Sequence, residues 1–137
     1  MRALSLLLPA GIVMVAAFDG MAADFDGSKP FLCATADVSS CVPGQDCARE
    51  SAQTVSAPPF FVVDVGKRLV SELVTASTVR TSKIQQIEHQ SGLLMLSGTD
   101  GDQGWVVTVG EVNGKLSYAV IGDRVVIAAF GSCLSQK

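Results

Sequence analysis

The sequence lacks most of the features that mark nucleic-acid-binding domains and many enzymes. It has no block of like charges, its 10 basic residues are outnumbered by 13 acidic ones, and histidine occurs only once. We therefore expect no basic face for nucleic acid and no polybasic patch for anionic lipid. There is no G-x-S-x-G elbow, phosphate loop or cluster of metal ligands. We predict no catalytic residue, no cofactor-binding residue and no metal site.

The single histidine, His89, is the one residue on which an enzymatic interpretation could rest. It follows Glu88 in the polar run QQIEHQ. A catalytic base needs a nucleophile and an orienting acid close in space, and the sequence identifies neither. We interpret His89 as a solvent-facing strand residue beside a hairpin. A small hydrolase-like enzyme using His89 is the least favoured alternative.

The stretch DGDQGWVVTVGE partly fits a calcium-binding loop. It places Asp100, Asp102 and Glu111 at positions 1, 3 and 12 of that register. Position 6 requires a glycine for the sharp turn but holds Trp105, and Gly104 at position 5 has no side-chain oxygen. We predict an acidic turn leading into a strand rather than a calcium site.

Long apolar runs are scarce, and the N-terminus holds the clearest one. Arg2 precedes an almost entirely apolar run, residues 3–17, and small residues then collect around Ala22 and Ala23. This order is typical of a secretory signal peptide. The run of about 15 residues is short for a membrane-spanning helix, which needs roughly 20. We predict a signal peptide at 1–23 and no stable membrane insertion after its cleavage.

Loss of 23 of the 137 residues would leave 114, which suits a single domain with a modest core. We place this domain at 24–137. Arg2 and Asp19 would leave with the signal. The remainder would keep 9 basic and 12 acidic residues, a net charge of −3.

The four cysteines are most simply explained as disulfides. They are Cys33, Cys41, Cys47 and Cys133. An even number in a small exported domain favours disulfides, and the chain has neither C-x-x-C nor paired zinc-ligand spacing. Of three possible pairings we favour Cys41–Cys47, because Pro43-Gly44 predicts a turn between them. The second bridge would then join Cys33 to Cys133 and tie the first strand to the last.

Turn signals in the second half predict an antiparallel meander. Ser91-Gly92, Asn113-Gly114 and Gly122-Asp123 each separate two strand-like runs, and Asn-Gly is the strongest short-range hairpin signal. Three tight hairpins follow one another within about fifty residues. We predict an all-β fold of about eight strands, a closed or nearly closed small barrel stapled by disulfides. A β-sandwich is the alternative.

The first half carries weaker patterns. FFVVDV predicts a largely buried strand, whereas residues 67–77 fit either a strand running into a loop, which we favour, or a short helix. Residues 24–30 are polar and predict a loose N-terminal lead. ARESAQTVS predicts a short strand, and SKIQQIEHQ a single strand before Ser91.

Trp105 and Tyr118 are the only residues of their types in the chain. Such residues most often fill the core or cap a barrel mouth, with the polar tip hydrogen-bonded. They are also possible ligand contacts. A barrel of eight strands is either filled by side chains or holds one small ligand.

Four short stretches, SAPPFF, RTSKI, GW followed by a β run, and AFGSC, together resemble small exported proteins of proteobacteria whose function is uncharacterised. This resemblance implies a periplasmic or secreted bacterial protein and assigns it no activity. In size and expected architecture the chain is also similar to bacterial periplasmic lysozyme inhibitors, by fold class alone.

Together these features lead us to expect a non-enzymatic binding or interaction module. Its partner would be a small apolar ligand or an extracytoplasmic protein. The alternative is an inhibitor of an envelope-targeting enzyme such as lysozyme. That inhibitor would act through exposed loops such as residues 98–104 or the cysteine loop.

Overall fold

A computed structural model describes residues 24–73 and 79–136, which form a single antiparallel sheet of ten strands and no helix. The strands are β1 Phe31–Cys41, β2 Ala48–Glu50, β3 Phe60–Asp64, β4 Leu69–Leu73, β5 Val79–Lys83, β6 Gln86–Gln90, β7 Leu93–Asp100, β8 Gln103–Gly110, β9 Lys115–Ile121 and β10 Val126–Ser135. No helix long and apolar enough to cross a bilayer is present in these two ranges.

The sheet curls until its two ends meet. The strand order is β5-β4-β3-β1-β10-β9-β8-β7-β6, with the short β2 paired to β1. The first and last strands of this path, β5 and β6, are consecutive in the chain and separated only by Ile84 and Gln85. The Gln85 amide donates to the Ser97 carbonyl on β7 at 2.8 Å, and the Ile84 amide donates to the Arg68 carbonyl at 2.9 Å. The sheet is therefore curled into a barrel-like form, as predicted, with ten strands rather than about eight.

The junction between β5 and β6 corrects the prediction of one strand over SKIQQIEHQ. The chain bends at Ile84 and Gln85, so that β5 pairs with β4 and β6 pairs with β7. The Arg68 guanidinium holds this bend by donating to the carbonyl of Ile84 at 3.1 Å and to that of Gln85 at 2.6 Å. The consecutive strands β5 and β6 therefore form the two edges of the sheet that meet where it closes.

All three predicted hairpins are present, but only one has a two-residue turn. Ser91 and Gly92 both have positive φ, 53° and 77°, as a tight turn with the twist of a hairpin requires. At the second hairpin a four-residue loop, Glu111–Gly114, replaces the expected Asn-Gly turn, and only Gly114 has positive φ. The third hairpin, β9–β10, closes through a bond from the Gly122 amide to the Val125 carbonyl at 2.9 Å.

Both predicted disulfides are present. Cys33 and Cys133 are direct partners in the β1–β10 ladder, so their bridge joins the first long strand to the last. Cys41–Cys47 closes the turn that follows β1. Disulfides of this structural kind indicate an oxidising environment outside the cytoplasm.

One end of the barrel, here called the filled end, is packed with apolar side chains. Inward-facing positions of the strands alternate with outward ones, and the most deeply buried side chains include Phe31, Val63, Ile84, Leu94 and Val109. The filled end also carries the Ser91-Gly92 turn and the Glu111–Gly114 loop. The opposite end is here called the mouth, and β1 runs from the filled end to the mouth.

Phe25 closes the filled end, which corrects the prediction of a loose lead over residues 24–30. Its side chain is buried and meets Phe31 edge-to-face, with ring centroids 5.7 Å apart. Its amide donates to the Glu111 carbonyl at 3.0 Å, and its ring lies against Gly114. The N-terminal segment therefore forms part of the core.

Two predictions for the first half of the chain, a strand over ARESAQTVS and a strand within residues 67–77, are each confirmed in part. Within ARESAQTVS only Ala48–Glu50 is a strand, and turns occupy residues 52–56. In the ambiguous segment 67–77, the strand interpretation is confirmed for β4, and residues 74–78 lie outside the described residues. Each strand of the β3–β4 pair is only five residues long.

Candidate ligand cavity

The mouth end of the barrel contains a cavity of about 480 Å³, within the range of small-ligand pockets. Apolar residues supply most of its wall, namely Val55, Ala57, Pro58, Phe61, Val70, Trp105, Val107, Tyr118, Val120, Val125 and Ile127. The polar lining residues are Ser40, Ser56, Glu72, Arg80, Ser82, Asp100 and Gln103.

Tyr118 forms the floor between the cavity and the filled end. Its ring is buried and meets Phe61 edge-to-face, with centroids 5.7 Å apart. Thr35 Oγ1 donates to the Pro58 carbonyl at 2.7 Å, so the 3.1 Å bond between Thr35 and Tyr118 must be donated by the phenol. The Tyr118 hydroxyl can therefore accept a further hydrogen bond through its oxygen lone pairs. It cannot donate another, because its proton is already bonded to Thr35.

The charge state of Tyr118 reflects this setting. Burial raises the pKa of its phenol above the ordinary value near 10. The negative charge of the Glu72 carboxylate raises the pKa further. Glu72 is thus close enough to act electrostatically on the cavity floor.

Trp105 lies on the cavity wall at the seam of the barrel. A Cβ placed on Gly98, its direct partner across the β7–β8 ladder, would come within 2.6 Å of the indole Cζ2. The same Cβ would come within 2.5 Å of the Lys83 carbonyl oxygen on β5. The glycine therefore admits both the indole and the close approach of β5 to β7.

The indole nitrogen of Trp105 is buried without a hydrogen-bond partner, the sole such side-chain atom in the part of the chain that the structure describes. An unmatched buried donor costs roughly 1 to 3 kcal/mol. The expectation of a hydrogen-bonded polar tip is therefore met by Tyr118 and not by Trp105.

Two polar pairs line the cavity near its mouth. The Arg80 guanidinium lies 2.5 Å from the Glu72 carboxylate across β4 and β5, with Glu72 15% and Arg80 54% exposed. Ser82 donates to the Asp100 carboxylate at 3.0 Å. The carboxylate of the first pair therefore faces inward while its counter-ion extends towards solvent.

Sequence reasoning singled out Trp105 and Tyr118, and the structure brings both to the cavity. It missed Glu72, Arg80, Ser82 and Gln103. Glu72 lies in LVSEL, where both faces of a strand carry apolar side chains, so alternation gives no direction. Ser82 and Arg80 had no signal of their own, because their place in the lining depends on the bend after β5.

The other residues considered from the sequence lie elsewhere or form ordinary structure. His89 is exposed at the filled end, and its Nδ1 lies 2.5 Å from the Glu111 carboxylate. Asp100 ends β7 and Glu111 follows β8, so the segment between them is a tight turn and a strand rather than a calcium loop. Residues 24–73 and 79–136 contain no group of three or more potential metal-binding side chains, and both disulfides together use all four cysteines.

The two loops proposed for protein contacts both flank the mouth. The Cys41–Cys47 loop extends past the end of β1, whose Ser40 lines the cavity. The β7–β8 turn presents Asp100 and Gln103 to the same cavity. Comparison of the chain with known protein families, with curated proteins and with solved structures finds no match.

Proposed function

We propose that this protein is a non-enzymatic binding module that holds one small amphipathic molecule in the mouth of its barrel. The observation that carries the proposal is the cavity of about 480 Å³ with an apolar wall and a polar rim. Pockets of this size and composition are the usual sites for small ligands. We further propose that the protein is bacterial, carries a signal peptide at 1–23, and acts in the periplasm or after secretion.

The division of the barrel supports this proposal. Phe25, Phe31 and their neighbours pack one end densely, so the domain has a core that does not depend on the mouth being filled. Burial of a ligand's apolar part against Phe61, Val107 and Ile127 would contribute about 25 cal/mol for each Å² removed from water. The open end can thus serve binding while the closed end maintains the fold.

Titration with 1-decanol, an uncharged chain with one hydroxyl, tests the proposal directly. Trp105 is the only tryptophan and lines the cavity, so its fluorescence reports occupancy without a label. We expect saturable one-to-one binding, confirmed by native mass spectrometry. No saturable binding of decanol, together with no co-purifying mass, would refute the proposal.

Two neighbouring substitutions on β9 localise the site. Val120→Phe adds volume to the cavity wall, whereas Ala119→Phe adds the same ring at the next residue, on the outer face. We expect the first to weaken decanol binding at least about tenfold and the second to leave it unchanged, because only one fills the ligand's space. Equal effects would place the ligand outside the cavity.

A second candidate function is inhibition of an envelope-targeting enzyme such as lysozyme. It is favoured by the disulfide-closed loop 41–47, where Val42 is exposed beside the mouth, because a rigid loop loses little entropy on binding. A lysozyme activity assay with the wild-type protein and a Val42→Asp variant tests it. Inhibition that the variant loses would support this function, and no inhibition by the wild type would remove it for lysozyme.

A further inference from the structure

The charge of the domain is unevenly divided between its two ends. The mouth half comprises residues 37–60, 72–73, 79–80, 100–104 and 121–126, and carries seven carboxylates against three cationic side chains: Asp37, Asp46, Glu50, Glu72, Asp100, Asp102 and Asp123 against Arg49, Arg80 and Arg124. The remaining described residues carry five carboxylates and five cations, His89 apart. Residues 74–78 contain no charged side chain. The net negative charge therefore lies around the mouth.

The charged side chains that line the cavity are also mostly acidic. It contains the carboxylates of Glu72 and Asp100 and one cation, Arg80. Arg80 is paired with Glu72, whereas Asp100 is held by the neutral hydroxyl of Ser82 and forms no ion pair with residues 24–73 or 79–136. A cleft lined by one sign of charge concentrates ligands of the opposite sign.

The orientation of the Glu72–Arg80 pair strengthens this preference. The carboxylate is the more buried partner and influences the Tyr118 phenol on the cavity floor. The guanidinium is more than half exposed, so a ligand cation could approach Glu72 as Arg80 moves outward. An anionic ligand group would have to compete with Glu72 for Arg80 while facing Asp100.

The apolar lining beside these carboxylates suits the apolar part of such a ligand. Phe61, Trp105 and Tyr118 are aromatic, and the faces of aromatic rings attract organic cations as well as alkyl groups. The other apolar lining residues are mostly valines, together with Ile127, Ala57 and Pro58. An apolar tail and a cationic head therefore match the apolar and the acidic side chains of the cavity lining.

We propose that the ligand of the cavity is a cationic amphiphile, an organic ammonium with a medium-length apolar group. Its tail lies against Phe61, Val107 and Tyr118, and its ammonium group lies at the rim between Glu72 and Asp100. This inference rests on the proposed function of the cavity and adds the charge of its ligand.

Three probes of equal chain length separate the two proposals: n-decylammonium, 1-decanol and decanoate, followed by Trp105 fluorescence at low ionic strength. We expect n-decylammonium to bind about tenfold more tightly than decanol, and decanoate more weakly than both. The preference should shrink in high salt, since the rim is partly exposed. Decanoate binding as tightly as n-decylammonium, with decanol still bound, would overturn this inference alone. Failure of all three would overturn both proposals.

Variants identify the source of the preference. Glu72→Gln and Asp100→Asn should each reduce the ratio of n-decylammonium to decanoate affinity about threefold or more. Glu88→Gln makes the same charge change at the filled end and should leave the ratio within about twofold. Arg80→Gln should raise the ratio. A lower ratio for Arg80→Gln, or no effect of the two rim variants, would contradict the inference.

Discussion

The indole of Trp105 lies against Gly98, its partner across the β7–β8 ladder, at the point where β5 crosses to meet β7. A methyl group on Gly98 would overlap both the indole Cζ2 and the Lys83 carbonyl oxygen. The glycine thus fixes two relationships at once, the position of the tryptophan on the cavity wall and the closure of the barrel.

Gly98→Ala should destabilise the domain by about 3 kcal/mol, because backbone on β5 or the indole must move. The measurement is urea unfolding followed by Trp105 fluorescence and circular dichroism. Gly104→Ala, in the facing strand, is the matched control: a Cβ there meets no atom within 4 Å, so its unfolding free energy should change by less than about 0.5 kcal/mol. Equal values for the two variants would show that the seam does not need the glycine.

Removal of the two disulfides should have unequal effects. Cys33–Cys133 closes a loop with a sequence separation of 100 and Cys41–Cys47 one of 6. On the chain-entropy model their removal by paired alanine substitution costs about 5 and about 2 kcal/mol respectively. Chemical denaturation of the two double variants compares them. A larger loss from the short loop would mean that native contacts, not chain entropy, decide the outcome.

Phe25→Ala should lower the free energy of unfolding by about 3 to 5 kcal/mol, because it empties a buried site against Phe31 and Gly114. Phe130→Ala removes the same ring from the outer face, where the side chain is 60% exposed, and should change stability by less than about 0.5 kcal/mol. Decanol affinity of the folded Phe25 variant should stay unchanged, since the cavity lies at the other end. Similar stabilities for the two variants would argue against a role of Phe25 in the core.

The stability of the domain should fall above pH 10 in a manner that Tyr118→Phe removes. Burial raises the pKa of this phenol in the folded state, so the unfolded chain loses the proton first. The stabilising contribution of the protonated phenol is fully present below the pKa near 10 that Tyr118 has in the unfolded chain. It is lost as the pH rises through the pKa that Tyr118 has in the folded protein. Because Tyr118 is the only tyrosine, phenolate absorbance of the folded and denatured protein measures both values. Coincident titrations would contradict the prediction.

The sequence predicted the framework because its local signals were strong. The Pro43-Gly44 turn identified the short disulfide and, by elimination, the long one. Gly92, Gly114 and Gly122 marked the three hairpins. The loop between β8 and β9 is longer than expected, because two hydrogen bonds hold it in that form. The Oδ1 of Asn113 accepts from the Lys115 amide, and the Gly114 amide donates to the Gly110 carbonyl.

The cavity could not be predicted from local sequence patterns, and the reason is physical. Glu72 and Asp100 line one space only because the sheet curls through the bend at Ile84, and no short-range pattern encodes that bend. Phe25 stands alone among polar residues, so it has no periodicity from which burial could be predicted. Trp105 and Tyr118 were found by rarity, which indicated their importance but not which of their polar atoms is satisfied.

The ladder that pairs Phe31 with Ser135 places both ends of the folded domain at the filled end. A fusion partner, an affinity tag or a solid support attached at either end therefore leaves the mouth pointing away from the attachment. Immobilisation for binding measurements can thus use either end of the domain without obstructing ligand entry.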